Sequence, residues 1–331
     1  MARRAQVAII GAGMAGLTLA RALADCADVR IFEKSRGVGG RMATRRTETG
    51  AFDHGAQYFT VRDDRFRAAL ETVQDDGVVR PWTGAVVNLP DGGPTARTDA
   101  DTTRYVGSPS MNALAKAMSV GLDIETEAQV EAITGEAGQW FLTTGDRQEG
   151  PFDWVVSSAP APQAAVLLPA GFKHHAELSN IRMNACFTVM IRQTQTSELP
   201  FAAARVDDPV IGWIARNDTK PGRSDEPCLV VNANAKWADD HVDAPIDQVR
   251  FDMLEAIRRY VPISPAEAEA ALIHRWRYAN VERHAGQAFL LDQASGLAAC
   301  GDWCIAGRVE AAFVSATDLG DALREIMKAA P

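Results

Sequence analysis

Gln6-Val7-Ala8-Ile9-Ile10-Gly11-Ala12-Gly13-Met14-Ala15-Gly16 decides the fold of this chain. A short apolar run stops at Gly11, and helical periodicity then runs from Met14 through Leu17 and Ala20 to Leu23 and Ala24, ending near Asp25. Val29 to Glu33 is a second apolar run. The order is strand, glycine turn, helix, strand, which opens a doubly wound parallel sheet. Within it, Gly11 to Gly16 spells G-x-G-x-x-G in the context that gives the motif meaning. Gly11 allows the tight turn, Gly13 lets the backbone approach a pyrophosphate, and Gly16 lets helix and strand pack closely. The helix N-terminus supplies free N–H groups and a positive dipole end for phosphate. Glu33, 22 residues after Gly11, ends the second strand where a carboxylate accepts the hydroxyls of a ribose.

That motif leaves NAD and FAD open. The next residues bring a second glycine loop, Gly37-Val38-Gly39-Gly40-Arg41-Met42-Ala43-Thr44, close behind Glu33 and Lys34. Arg30, Lys34, Arg36, Arg41, Arg45 and Arg46 face only Glu33 and Glu48 between residues 30 and 50, a local charge of +4 in a chain whose net charge is −9. More donors and a guanidinium are expected beside the dinucleotide.

The middle of the chain is richer in strand. Arg80 to Asn88 alternates, Ser110 to Val120 reads as a helix capped by Ser108 or Ser110, and Ile124 to Thr144 reads as a meander. Trp154 to Ser158 is another buried strand. Strands are expected at Ala185–Arg192, Val210–Ala215, Cys228–Asn232 and Leu272–Arg277, with a helix at Ile246–Tyr260. Leu297 to Ile305 reads as strand and Glu310 to Met327 as the closing helix. At about 150 residues per domain, 331 residues suggest two domains. Both ends look nucleotide-binding, so the first domain is expected to be discontinuous (1–75, 105–180 and 285–331), with 76–104 and 181–284 forming the second. The fold class is α/β, a Rossmann-type domain with an inserted β-rich α+β substrate domain.

Composition narrows the function. An acidic chain does not coat nucleic acid. No run of about 18 apolar residues is present, so no membrane span is expected. Arg3-Arg4, the stretch Val7–Ala20 and Ala22-Leu23-Ala24 imitate an export leader, but Gly11, Gly13 and Gly16 interrupt it and have the better use just given. Five cysteines, without zinc-ligand spacing, suggest idle thiols in a reducing cytoplasm and no metal site.

Further along, the sequence resembles a known family. Two glycine loops around a glutamate, the second ending Gly-Gly-Arg, are similar to those of the FAD-dependent amine-oxidase superfamily. Phe52-Asp53-His54-Gly55-Ala56-Gln57-Tyr58-Phe59-Thr60 resembles a segment of the renalase-like flavoproteins within it. So do Trp213-Ile214-Ala215-Arg216-Asn217 with Lys220-Pro221-Gly222-Arg223, the strand His274-Arg275-Trp276-Arg277-Tyr278-Ala279, and Gly301-Asp302-Trp303-Cys304 followed by Gly307-Arg308-Val309-Glu310-Ala311-Ala312. The chain departs from the family at Ala311, where glycine is usual, and at Ser315-Ala316-Thr317.

The resemblance implies FAD as cofactor. It implies Gly11, Gly13, Ala15 and Gly16 at the pyrophosphate, Glu33 at the adenosine ribose with Lys34 beside it, and Gly40, Arg41 and Met42 along the dinucleotide. Gly55, Ala56, Gln57 and Tyr58 would lie near the isoalloxazine, Val130 near the adenine, and Gly301 and Asp302 at the ribityl or pyrophosphate. Glu310, Ala311 and Ala312 would begin the helix beneath the pyrimidine end of the flavin. The implied reaction is oxidation of a small substrate by hydride transfer to the flavin N5, followed by reoxidation with dioxygen to give hydrogen peroxide. For the renalase-like members the substrate is a 2- or 6-dihydro isomer of NAD(P). An amine oxidase on the same scaffold and a flavin-binding protein without turnover are the alternatives.

Alternation along Leu272–Tyr278 places His274, Trp276 and Tyr278 on one face of a strand. With Trp213 and His54 they are the candidate catalytic residues, against the plainer reading that the aromatic ones are core. The resemblance also makes Lys220 and Lys236 candidates for a lysine set near the flavin N5 through a water, against the plainer reading of both as surface lysines. Oligomeric state is left open.

Overall fold

The computed structural model describes residues 3–48, 50–74, 77–90, 95–97, 102–195 and 199–329. Residues 91–94 and 98–101 of the expected second domain lie outside the described residues.

Val7, Ala8 and Ile9 are inaccessible to solvent. Such a run is what a central parallel strand, covered on both faces, requires. Ala5–Ile10 indeed lies inside a six-stranded sheet. Its order is Leu290–Asp292, Leu297–Ala299, Trp154–Ser157, Ala5–Ile10, Ala27–Phe32, Asp123–Glu125. All neighbours are parallel except the antiparallel pair Leu290–Asp292 and Leu297–Ala299 at one edge. Segments from the start, middle and end of the chain therefore share one sheet. The helix Met14–Leu23 packs against the last helix, Val309–Ala329, so closely that a Cβ on Gly320 would meet that of Ala22 at 2.8 Å.

A second, seven-stranded sheet has the order Leu272–Arg283, Arg182–Arg192, Cys228–Ala233, Ile211–Arg216, Ala203–Val206, Val86–Leu89, Thr95–Arg97. Alternation gives it two unlike faces. Phe187, Val189, Ile191, Ile214 and Val231 pack against Val249, Met253, Leu254 and Ile257 of the helix Ile246–Ile257. The opposite face is turned to the nucleotide-binding half and is half polar.

Several expectations need correction. Ile124–Thr144 is not one meander: Asp123–Glu125 joins the parallel sheet beside Ala27–Phe32, and only Ala132–Glu136 and Gln139–Thr144 form the hairpin. Leu297–Ile305 is strand only to Ala299, and Asp302–Ile305 is a short helix. Its residues are as apolar as a strand because Trp303 and Cys304 are wholly buried. The helix read at Ser110 starts at Ala113 and is preceded by Asn112, not by Ser108 or Ser110. Short helices at Ala235–Asp240 and Pro265–Ala270 are additional.

All five cysteines are free thiols, four of them buried. Among the described residues no helix is long and apolar enough to cross a membrane, and no group of His, Cys, Asp or Glu has the arrangement of a metal site.

Candidate active site

Three loops meet at the carboxyl end of the parallel strands, where such sheets bind ligands. Gly13 precedes the helix Met14–Leu23, whose first N–H groups have no intrahelical partner by construction. A Cβ on Gly13 would meet nothing within 4 Å, and one on Gly40 only the Cα of Gly13 at 3.4 Å. Here the two glycine loops border open space. Gly16 is different: its Cβ would lie 1.9 Å from the Gly11 carbonyl oxygen. The loops are joined by the Gly39 N–H donating to the Ala12 carbonyl at 2.8 Å. The Ala56 N–H in turn donates to the Arg41 carbonyl at 2.8 Å, and Gly55 fits because a Cβ there would lie 2.0 Å from that same oxygen. These contacts bring residues 11–16, 39–42 and 55–57 to one place. The glycine-lined gap and the free helix N–H groups fit the pyrophosphate of a dinucleotide.

Glu33 is buried. Its two carboxylate oxygens accept the Ala12 N–H and the Ser35 N–H, each at 2.8 Å, which leaves lone pairs for a ribose diol. Lys34 beside it is exposed. Arg41 donates to Asp302 at 2.9 Å, so two residues read separately as cofactor-binding form one ion pair. Arg30 pairs with Glu125 and Glu149. The local +4 is thus smaller at the loops than the sequence suggests. Val130 packs with Phe32, Ala128 and Ile133 in a buried cluster. Ser315, one of the departures from the family pattern, accepts the Gly301 N–H at 3.0 Å and so holds the turn before Asp302. Glu310 lies in the first turn of the helix Val309–Ala329, and its carboxylate accepts the N–H groups of Arg62 and, at 2.8 Å, Asp63, ahead of the helix Asp64–Gln74. Ala311 and Ala312 follow it, buried.

The segment after Phe52 carries the densest chemistry. Asp53 is inaccessible to solvent. Its Oδ1 accepts the Thr44 hydroxyl at 2.7 Å and the Met111 N–H at 3.0 Å. Its Oδ2 faces the Arg223 guanidinium, with Nε at 3.1 Å, and the Lys220 ammonium at 3.5 Å. Burial alone would raise the Asp53 carboxyl, but Lys220 and Arg223 hold it below the usual carboxylate range. Lys220 also donates to Gln57 Oε1 at 3.1 Å, and lies 5.5 Å from the centre of the Trp82 ring. Burial pushes its ammonium down to about 8, with Asp53 opposing and Arg223 reinforcing the shift. The expectation of a surface lysine is therefore wrong for Lys220, which is 2% exposed. The turn Pro221-Gly222 makes this burial feasible: Gly222 has φ +77 and is pressed against Ser108 and Pro109. Lys236 is on the surface and pairs with Asp240.

Of the candidate catalytic residues, His54, His274 and Trp276 form one ring cluster. Ring centroids are 4.7 Å apart for His54 and His274, 5.1 Å for His54 and Trp276, and 4.4 Å for His274 and Trp276. Trp276 Nε1 donates to the His54 carbonyl at 2.9 Å. Trp213 lies apart, packed on Tyr58 at 5.8 Å. Tyr58 also contacts Trp82 and the Arg104 guanidinium. Tyr278 joins none of these ring contacts: the strand loses register between Trp276 and Asn280, so simple alternation does not carry over to it.

Burial pushes the His54 imidazole down to about 4, helped by His274, and lowers His274 as well. Both rings are neutral at pH 7. In the unfolded chain His54 takes a proton below its ordinary pKa near 6.5, whereas the folded protein does not until about 4. Stability should therefore fall as pH drops from 6.5 towards 4. Urea midpoints across that window should decline less steeply in His54→Asn. An equal slope in both proteins would mean that His54 is not a neutral buried group.

Comparison with known proteins places this geometry. Residues 9–73 match the model of an NAD(P)-binding Rossmann-like domain. Residues 82–318, well over half the chain, match the model described as flavin containing amine oxidoreductase. The chain belongs to the flavin-containing amine oxidoreductase family. Solved structures of the same fold include a putative protoporphyrinogen oxidase from Exiguobacterium sp. 255-15, with TM-score 0.78, 15% identity, and coverage of 98% of this chain and 100% of that one. Cyclohexylamine oxidase from Brevibacterium oxydans IH-35A gives TM-score 0.75 at 13% identity, covering 98% and 100%. Putrescine oxidase bound to putrescine gives 0.71 at 13%, covering 98% and 99%. This flavin-containing amine oxidoreductase is an FAD-dependent enzyme, with a Rossmann-type domain and a β-rich inserted domain.

The Lys220–Asp53–Arg223 cluster was missed in sequence because its members are 167 and 170 residues apart. The signal present was a charged residue inside an otherwise apolar and glycine-rich segment, Ala51-Phe52-Asp53-His54-Gly55-Ala56.

Proposed function

We propose that this enzyme is a renalase-like oxidase that takes a hydride from a 2- or 6-dihydronicotinamide isomer of NAD(P). FAD, when bound, accepts a hydride and hands the electrons to dioxygen as hydrogen peroxide. Gly11, Gly13, Ala15, Gly16, Gly40, Arg41 and Met42 would hold its phosphates, Glu33 its ribose, and Gly55–Tyr58 with Asp302 its flavin half. In this reading the first expected domain binds FAD and the second shapes the substrate wall.

The observation that carries the choice of substrate is charge. Asp53 is one carboxylate against Lys220 and Arg223, which leaves one positive charge over, and Arg104 stacked on Tyr58 adds another. The two histidines beside them are neutral. A cationic amine is repelled by that surplus, whereas a dinucleotide brings phosphates that it attracts. A dihydropyridine needs no strong base to lose a hydride. It needs a closely packed wall that positions its ring, such as the stacked His54 and Trp276 with His274 set edge-on against them.

The test is steady-state turnover. The holoprotein should consume oxygen with 2- or 6-dihydro-NAD(P) and release NAD(P)+ and hydrogen peroxide. Oxygen consumption with primary amines, and none with the dihydronicotinamides, would replace this reading with amine oxidation.

A further inference from the structure

The polar face of the seven-stranded sheet contains a row that crosses its strands. Pairing register sets His274 opposite Thr188, Thr188 opposite Asn232, Asn232 opposite Trp213, and Trp213 opposite Arg205. Directly opposed residues in antiparallel strands share a face, so these five side chains stand side by side. The adjoining row on that face is apolar, with Met190, Val230 and Leu272 packed on Phe52. A polar row beside an apolar one, both against the Phe52–Tyr58 segment, has the composition of a small-molecule wall.

Hydrogen bonding within the row is directional. The Thr188 hydroxyl donates to the His54 carbonyl at 3.0 Å. Its proton is thereby used, so it accepts from Asn232 Nδ2, at 3.0 Å. The same amide nitrogen faces Cys186 Sγ at 3.6 Å. The amide of Asn232 is thus oriented by its neighbours, with the carbonyl end turned away from Thr188. Asn232 Oδ1 and the Nε1 of its opposed neighbour Trp213 are both buried and without a hydrogen-bond partner among the described residues. One is an acceptor only, the other a donor only. Buried polar atoms of this kind are costly unless something pairs with them.

We infer that Asn232 and Trp213 are specificity-determining residues that together read a primary carboxamide, Asn232 Oδ1 accepting its N–H and Trp213 Nε1 donating to its C=O. This rests on the dihydronicotinamide reading and deepens it, since the ring of that substrate carries one such group. A simple amine offers no carbonyl to Trp213.

The test uses the holoprotein mixed anaerobically with 6-dihydro-NAD and with its 3-acetyl counterpart, in which the carbonyl is kept and the NH2 is replaced by methyl. Flavin bleaching against concentration gives an apparent Kd for each. The parent protein should favour the carboxamide by roughly tenfold or more, as expected when a buried acceptor loses its donor. Asn232→Leu should bind both compounds alike. Trp213→Phe, which keeps an aromatic ring and removes the donor, should weaken both by similar factors and keep the preference. The preference is a ratio within one protein, so a general loss of stability does not mimic it. If Asn232→Leu keeps the preference, or the parent shows none while still being bleached, the carboxamide assignment is wrong and the dihydronicotinamide reading stands. If no dihydronicotinamide isomer bleaches the parent, both fall.

Discussion

Asp53→Ala should destabilise the protein by about 3–5 kcal/mol, the cost typical of removing one partner from a buried ion pair. Asp53 has no solvent exposure, and its carboxylate is the counter-charge for both Lys220 and Arg223. Without it two cations remain in a dry site. Removing one should offset part of the loss, so Asp53→Ala with Lys220→Met should be more stable than Asp53→Ala alone. Urea unfolding of the three proteins, followed by tryptophan fluorescence, measures this. A loss below about 1 kcal/mol for Asp53→Ala would put the pair in the range of solvent-exposed bridges and contradict its burial. The cluster also bears on function, because Lys220 donates to Gln57 in the segment proposed to border the flavin. Loss of Asp53 should therefore disturb flavin absorbance as well as stability.

Gly13→Val should lower FAD affinity by roughly 100-fold, while the apoprotein unfolds at the parental urea concentration. Both parts follow from the same fact: a Cβ on Gly13 meets no protein atom within 4 Å, so the side chain is directed into the space that the pyrophosphate would take and not into the protein at its root. Gly16→Val is the contrast. Its Cβ would lie 1.9 Å from the Gly11 carbonyl oxygen, so the apoprotein itself should be destabilised, by about 1–3 kcal/mol or more. Glu33→Ala should weaken retention less than Gly13→Val, by roughly tenfold, since it removes hydrogen bonds and does not fill the site. Flavin content after gel filtration and urea midpoints of the stripped proteins separate these cases. Equal flavin content in Gly13→Val and the parent would remove the pyrophosphate from this loop.

The nucleotide-binding half was readable because its determinants are local. Gly11, Gly13, Gly16 and Glu33 lie within one strand–helix–strand unit: Gly11 and Gly16 are required by its backbone geometry, Glu33 is held by a hydrogen bond within it, and Gly13 borders open space at the helix N-terminus. The β-rich half was readable as separate strands and one helix, but not in how they are arranged. Trp213, Asn232, Thr188 and His274 come from four strands, and nothing in their spacing reveals that pairing register lines them up. Lys220 was misread for a related reason. A lysine beside Pro-Gly reads as an exposed turn, and its partner Asp53 lies on the other side of the chain. Glu310 shows a different limit: its position at the start of the last helix was legible, but the direction of its carboxylate depends on the backbone of Arg62 and Asp63.

The most direct measurement is anaerobic stopped-flow mixing of the yellow holoprotein with 2- and 6-dihydro-NAD(P) and, separately, with primary amines. The proposed substrate wall, neutral at His274, Thr188, Asn232 and Trp213 and set beside surplus positive charge, predicts rapid bleaching of the flavin by a dihydronicotinamide isomer, with stoichiometric NAD(P)+ formed, and no bleaching by amines. Bleaching by amines alone would contradict it.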